Sequence, residues 1–256
     1  VRNYPFHEYP RLYNFFLGHL IALIHLFIIK KHNKFVVCST ALYYIYEENH
    51  SLKPIIIQNG INTEMYKISS NKRNELRGML NLSSDVEIIL SVSKLIKRKN
   101  ISFVINTFKK YFSNSKYYLV IAGSGLEEKK LRSIASDCDN IIFLGEVENI
   151  SKIYQNSNYF ISASFSEGLP NSVLEAMSSG LPCILSDIEM HKEIFKDSLK
   201  MISFNPHNSE SLFKAFKYAF KYVKKSEIFR NHIKKNFSSH IMSNKYQKLY
   251  LKVINE

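Results

Sequence analysis

Seven short apolar runs, at residues 35–38, 54–57, 88–92, 117–122, 141–144, 159–162 and 182–185, are continuous rather than alternating. A strand that is apolar on both faces belongs to a sheet covered on both sides, which is the condition of parallel strands in α/β proteins. Amphipathic helical patterns at 101–112, 126–136 and 172–179 lie between the runs. Strand, helix, strand repetition predicts a doubly wound α/β layer. Glycine is scarce, only 8 residues, and Gly60, Gly123, Gly125, Gly145, Gly168 and Gly180 all fall at strand ends or helix junctions. The carboxyl ends of strands are where open α/β sheets bind ligands.

A chain of 256 residues can bury a sizeable core without disulfide or metal staples. Cys38, Cys138 and Cys183 are scattered and show no metal-ligand spacing, so reduced thiols and no structural zinc are expected. Lys and Arg number 35 against 22 Asp and Glu, a balance of +13. That excess points to anionic partners: phosphate-bearing small molecules, lipid headgroups or nucleic acid. The most apolar window runs from Leu17 to Ile29, interrupted by His19 and His25, and passes into Lys30-Lys31-His32. It is shorter than the roughly 20 residues that cross a bilayer. A helix packed in a core with its basic end outward is predicted, with an interfacial helix as the alternative. The last third is helical and basic. Leu212, Phe213, Phe216, Ala219, Phe220 and Val223 share one face, and Lys214, Lys217, Lys221 and Lys224 another, as in a packed stripe under a solvated surface.

The strongest local signal is Ser164-Phe165-Ser166-Glu167-Gly168-Leu169-Pro170-Asn171-Ser172-Val173-Leu174-Glu175-Ala176-Met177. A strand ends near Ser162, a Gly/Pro turn follows, and a helix is predicted from about Ser172. Free amides and the positive end of a helix dipole then face the loop, a ready site for phosphate. Glu167 in the loop and Glu175 inside the helix suit the hydroxyls of a sugar ring or a ribose. Ser172-x-x-Glu175 also reads as a capping box, in which Glu175 merely satisfies an amide at the helix start. The second signal is Ser91-Val92-Ser93-Lys94-Leu95-Ile96-Lys97-Arg98-Lys99-Asn100, four cations on a strand-to-helix turn. Such donors hold a diphosphate and stabilise charge on a leaving group, although a lysine-rich surface turn would look the same. Ala122-Gly123-Ser124-Gly125 is a weak third signal, lacking the rest of a dinucleotide fingerprint.

In order along the chain stand Asn59-Gly60-Ile61-Asn62, Val92-Ser93-Lys94-Leu95 with Lys99-Asn100, and Leu119-Val120-Ile121-Ala122-Gly123-Ser124-Gly125. Phe143-Leu144-Gly145, Glu167-Gly168-Leu169-Pro170-Asn171 through Glu175-Ala176-Met177, and Gly180-Leu181-Pro182 with Ser186-Asp187 follow. Together, over roughly residues 35–200, these pieces resemble the family-4 retaining glycosyltransferases of GT-B architecture, with the two glutamates in their Gly-Leu-Pro context as the most specific part. The resemblance implies an α/β fold with a complete Rossmann-like C-terminal domain and the tail of an N-terminal one. Residues 1–66 would be the remainder of the acceptor domain and 67–87 a linker. The nucleotide-sugar donor domain would span 88–238, and 239–256 would form a helix packing back on the first domain. A chain truncated at its N-terminus is the corresponding expectation.

Carried over residue by residue, the resemblance implies that Lys94 and Lys99 grip the donor diphosphate. Lys94 stands for a more usual Arg, keeping the charge without the fork, and Ser93 stands where Gly is frequent. Glu175 would hold the ribose hydroxyls and Glu167 those of the transferred sugar. The backbone of Gly168, Leu169, Pro170, Asn171, Ser172 and Val173 would contact sugar and phosphate, and Phe143, Leu144 and Val147 would sit beside the base. Phe6-His7-Glu8-Tyr9-Pro10 resembles a segment placed near the donor sugar, which gives His7 a positioning role. The implied reaction transfers a sugar from a nucleotide diphosphate to an acceptor hydroxyl with retention, in surface polysaccharide or glycolipid synthesis. No metal and no cofactor beyond the donor are expected. The expected partners are a nucleotide sugar, a sugar or lipid-linked saccharide acceptor and peripheral membrane headgroups, with no nucleic acid. The expected location is cytoplasmic, at the inner face of the membrane. Two alternatives are a nucleotide-sugar epimerase of the same fold, which would want more acid/base groups in the cleft, and a basic nucleic-acid-binding protein, which would want exposed aromatics within a continuous basic patch.

Overall fold

The computed structural model describes the chain except for residues 2, 33, 69–73, 196–198 and 225. The linker expected over 67–87 therefore lies partly outside the described residues. The first part holds α1 (Pro5–Leu12), α2 (Phe15–Lys31), β1 (Val36–Val37), α3 (Thr40–His50) and β2 (Ile55–Ile56). β1 and β2 pair in parallel as a small sheet of their own. After α4 (Glu75–Met79) come β3 (Glu87–Val92), a 3-10 turn at Lys97–Lys99, α5 (Ile101–Phe112), β4 (Tyr117–Ala122), α6 (Glu128–Ala135) and β5 (Ile141–Gly145). The second half of this unit holds α7 (Ile150–Asn156), β6 (Tyr159–Ser162), α8 (Asn171–Ser178), β7 (Cys183–Ser186), α9 (Glu189–Lys192) and β8 (Ile202–Phe204). α10 (Ser209–Tyr222), α11 (Glu227–Asn236) and α12 (Ser239–Ile254) complete the chain.

The large sheet has the order β5-β4-β3-β6-β7-β8, and every pairing in it is parallel. The chain runs outward from β3 to β5, then returns to lay β6 on the other side of β3. Strand order thus reverses between β3 and β6, and the loops leaving these two strands diverge around a crevice at their carboxyl ends. Both faces are covered, as the continuous apolar runs require. Ile88 and Leu90 pack with Tyr154, Phe160 and Val173 on one face, whereas Ile89 packs with Val104, Phe108 and Phe216 on the other. β8 escapes the sequence reading because it is three residues long, sits at the sheet edge and exposes its middle residue, Ser203.

The apolar window of α2 differs from expectation. Only Gly18, Ala22, Leu26 and Ile29 are buried, one narrow stripe: Gly18 lies against Pro10 of α1, and Leu26 and Ile29 join the core cluster that holds Val37, Leu42 and Tyr46. Phe15, Phe16, Leu20, Leu23, Ile24, Phe27 and Ile28 are exposed, so the core takes only this one stripe and does not enclose the helix. A helix apolar all round has no polar face to turn outward, and contacts along one stripe cover only one side of it.

Two glycines show why the loops fit. The turn Asn59-Gly60 runs against the start of α12, where a Cβ on Gly60 would lie 2.4 Å from the carbonyl oxygen of Ser238. Ile61 bridges Ser238 in parallel fashion there, its N–H donating to Phe237 O at 2.9 Å. α12 then runs back along the first part of the chain, and Glu256 pairs with Lys34. Gly123 follows β4 at φ +125°, where a Cβ would fall 2.0 Å from the carbonyl oxygen of Ser93. Gly123→Ala is therefore expected to cost about 3 kcal/mol, combining left-handed strain with a backbone clash. Urea denaturation measures this, and a loss below about 0.5 kcal/mol would contradict the close approach.

Candidate functional site

The crevice is floored by the loop after β3 and walled by the loop after β6. In the first loop Leu95 is buried and anchors the turn, its N–H donating to Ser124 O at 2.8 Å. Ser93 is half-buried, and its hydroxyl is enclosed without a hydrogen-bond partner among the described residues. Lys94 is exposed. The turn Lys97–Lys99 ends on Asn100, whose φ of 55° starts α5 at an angle and whose side chain ties to Pro206 O at 3.0 Å. That turn directs Arg98 and Lys99 at the opposite loop.

Glu167 is the meeting point. Its Oε1 lies 2.5 Å from Lys99 Nζ and its Oε2 2.9 Å from Arg98 Nη1, with all three side chains largely buried. Arg98 also donates to the carbonyl of Ser166, and Phe165 N–H donates to Arg98 O at 3.0 Å. Burial pushes the Glu167 carboxyl pKa upward, but the charges of Lys99 and then Arg98 overcome it, with hydrogen bonds from Lys99 and Ser164, and bring it down to about 2. The carboxylate is therefore fully ionised at neutral pH.

α8 starts one residue earlier than the sequence pattern suggests, at Asn171 with Pro170 as N-cap, and no side chain caps it. Glu175 thus stands at the fifth helical position, too deep to return to the N-cap amide, and the capping-box reading falls. Its Oε2 accepts from Tyr154 Oη at 3.0 Å, and the Tyr66 hydroxyl also bonds to it. Burial raises the Glu175 pKa, and the two hydroxyl bonds partly offset that. Tyr66 is pushed up to about 12 by burial and by the Glu175 charge, so it stays a donor. No acidic residue occupies the first turn of α8, and its positive end faces the crevice uncompensated.

Gly168, Leu169 and Pro170 are buried, Asn171 is exposed, Ser172 half-buried and Val173 buried. Asn59 braces this segment from the first part of the chain, its Nδ2 3.0 Å from both Leu169 O and Asn171 Oδ1. His7, on α1, is exposed and lines a small cavity together with Arg98, Ser166 and Glu167. It also lines a larger cavity of about 1010 Å³ between α3 and the start of α9. Leu144 and Val147 pack on the same sheet face as Tyr154 and Val173. The Phe143 side chain lies on the other face, with the Arg132 guanidinium 4.8 Å from its ring centre.

The structure thus brings Lys99, Glu167 and His7 together. Ser93 and Lys94 lie on the adjoining loop, Glu175 and the residues 168–173 on the same side of the crevice, and the Phe143 side chain apart. Sequence reading missed Arg98, Tyr66, Tyr154 and Asn59 as members of this site. Two of these carried a visible signal, Arg98 as one of four cations in the turn and Asn59 in the Asn59-Gly60-Ile61-Asn62 piece, though neither was given a role.

Residues 72–236 match the family described as glycosyl transferases group 1. Among curated relatives, the O-antigen biosynthesis glycosyltransferase WclY of Escherichia coli is 29% identical over 210 residues, covering 80% of this chain and 58% of that protein. The chain therefore spans under two thirds of that relative. Among solved structures, a glycosyltransferase from Rickettsia africae ESF-5 superposes with a TM-score of 0.77 at 20% identity, over 86% of this chain and 63% of that one. Anabaena HepE, solved with UDP and glucose, gives 0.74 at 18% identity over 84% of this chain and 62% of that one. The fold is of the GT-B type. On the family match over more than half its length, the chain belongs to the group 1 glycosyltransferases.

Proposed function

We propose that this chain binds a nucleotide-diphosphate sugar and moves the sugar to an acceptor hydroxyl with retention of configuration. The acceptor in this reading is a sugar or a lipid-linked saccharide, and the setting is surface polysaccharide or glycolipid synthesis. One observation carries the proposal: at the point of strand-order reversal, two cations from the loop after β3 clasp the carboxylate that precedes α8.

A pyrophosphate-linked sugar fits that arrangement. Its diphosphate takes Lys94, Lys99 and the amide end of α8, so negative charge released with the leaving group meets fixed donors. Lys99 then stands between the diphosphate and Glu167, whose ionised oxygens accept hydroxyls of the transferred sugar. The transition state has oxocarbenium character, and a carboxylate beside it also offsets developing positive charge. Glu175, fixed by Tyr66 and Tyr154, accepts the ribose hydroxyls, and the base lies along 143–147, held by Leu144 and Val147 with Phe143 contributing backbone. His7 helps position the sugar from the far side. The cations supply the charge that a divalent ion would otherwise bring, and neither metal nor cofactor beyond the donor is part of the proposal.

The name of the WclY relative supports a polysaccharide setting, and the UDP bound to the HepE neighbour supports a uridine nucleotide. The exposed apolar face of α2, ending in Lys30 and Lys31, supports peripheral contact with anionic headgroups at the cytoplasmic face of the membrane. Each such cation contributes about 1 kcal/mol near the surface.

Titration of the chain with UDP and with a panel of UDP-, GDP- and dTDP-sugars tests the proposal. Binding of at least one sugar nucleotide is expected, and binding of none contradicts it. Glu175→Gln is expected to weaken that binding by about tenfold to a hundredfold, the value of a charged hydrogen bond. Unchanged affinity on calorimetry, with only a lowered melting temperature, would make Glu175 structural.

A further inference from the structure

Beneath the Glu167 loop lies a histidine that donor binding leaves without a role. His191, in α9, is fully buried. Its Nδ1 lies 2.8 Å from the carbonyl oxygen of Ser186 and 3.2 Å from Ser186 Oγ. A carbonyl only accepts, so Nδ1 carries the hydrogen and Nε2 is a bare lone pair. Nε2 has no partner among the described residues. An enclosed, unpaired acceptor is unfavourable, and a phenyl ring of similar size would avoid it. Whatever the histidine contributes therefore passes through Nδ1–H.

From there the bonds lead to the site. Ser186, at the end of β7, donates its hydroxyl to the carbonyl of Ser164 at 2.6 Å. The Ser164 hydroxyl in turn bonds to the Glu167 carboxylate. Ser164 and Ser186 are both buried, so water does not compete for these bonds. α9 is also held from outside. Glu193, directly after it, accepts from the first-turn amides of α3, Thr40 N at 2.8 Å and Ala41 N at 3.1 Å, and from Gln58 Nε2 at 2.7 Å. The imidazole therefore projects from an anchored post. Burial keeps it neutral, with the Glu167 charge opposing and the Lys99 charge reinforcing, so it adds no third cation beside the carboxylate.

We propose that His191 is a positioning residue: through Ser186 and Ser164 it fixes the loop that aims the Glu167 carboxylate at the transferred sugar. The inference rests on the reading of Glu167 as the acceptor of that sugar's hydroxyls, and it assigns the buried relay rather than the contact itself. Because the relay ends on the sugar-facing group and not on the nucleotide, its loss should separate the two parts of the donor.

The test compares affinity for UDP with affinity for UDP-glucose, UDP-galactose and UDP-N-acetylglucosamine, each by calorimetry on the chain. The quantity read is the ratio of the UDP dissociation constant to that of whichever sugar nucleotide binds most tightly. His191→Phe keeps the volume and removes the donor. It is expected to lower this ratio by about tenfold while UDP affinity stays within about twofold. Ser186→Ala, at another link, is expected to do the same, and the double variant to be no worse than either single change. His191→Asn, whose amide N–H can replace Nδ1–H, is expected to recover most of the ratio. If His191→Phe fails to fold, Ser186→Ala and His191→Asn carry the comparison.

An unchanged ratio in His191→Phe or Ser186→Ala, or an equal loss of UDP and sugar-nucleotide affinity as stability falls, overturns the inference. If Glu167→Gln lowers the ratio while the relay variants do not, the His191 assignment fails and the donor-site reading stands. If the unmodified chain binds none of the four ligands, or gains nothing from any sugar that Glu167→Gln removes, the donor-site reading fails and the relay falls with it.

Discussion

Glu167→Gln is expected to lower sugar transfer by at least about a hundredfold while leaving UDP affinity within about twofold. The amide keeps the shape of the side chain but removes the charge that makes its bonds to sugar hydroxyls worth about 1.5–3 kcal/mol each. Two such bonds account for the loss, and because UDP carries no sugar, its binding does not register the change. Steady-state transfer or donor hydrolysis, set beside UDP calorimetry, separates the two readouts. Equal loss in both would place Glu167 on the nucleotide instead.

The same substitution has a signature in stability. The Glu167 pKa is about 2 in the folded chain, below the ordinary carboxylate value. A depressed carboxyl pKa stabilises the fold above the unfolded value, and that contribution is lost as pH falls through the folded one. The full effect corresponds to about 3 kcal/mol, of which about 2 kcal/mol is lost between pH 7 and pH 3. Glu167→Gln is expected to remove this acid-limb slope and to lower stability at pH 7, since Lys99 and Arg98 then lie largely buried without their counter-charge. Urea unfolding at pH 7, 5 and 3 measures both. An identical pH slope in parent and variant would contradict the clasp.

Lys99→Ala is expected to have the other large effect, lowering turnover by about a thousandfold and UDP affinity by about tenfold or more. Lys99 is the cation that the turn at Lys97–Lys99 delivers into the crevice, 2.5 Å from Glu167. Removing it deprives the leaving diphosphate of a donor in a partly dry site, where such donors matter most. Arg98 still pairs with Glu167, so the loop keeps its shape and the loss falls on chemistry more than on folding. Lys99→Arg is expected to restore part of the binding. Lys94→Ala is expected to be milder and more salt-sensitive, because Lys94 is exposed and screened. Turnover in Lys99→Ala within tenfold of the parent would remove Lys99 from the reaction.

The large sheet was legible in the sequence because parallel strands are buried on both faces and so leave unbroken apolar runs such as Ile88-Ile89-Leu90. The crevice was not, because apolar runs do not give strand order, and only the pairing of β3 with both β4 and β6 shows that the chemistry-bearing loops leave the two strands at which order reverses. Other features were hidden for physical reasons. Ser172-x-x-Glu175 has the spacing of a cap, and only the start of α8 at Asn171 shows that Glu175 points at Tyr154 and Tyr66 instead. Tyr154 is fully buried, and from sequence it cannot be told from a core aromatic whose hydroxyl does nothing. Arg98 stands among four cations of one turn, and local pattern does not say which of them a single 3-10 turn aims inward. α2 looked like core because hydrophobicity alone does not reveal how many neighbours a helix has.

A crystal structure of the chain with UDP bound tests most directly whether the loops after β3 and β6 form one nucleotide-sugar site. The diphosphate is expected within hydrogen-bond reach of Lys99 and the first-turn amides of α8, with the ribose on Glu175. A nucleotide bound elsewhere, with Glu175 still closed on its two tyrosines and Lys99 still on Glu167, would contradict it.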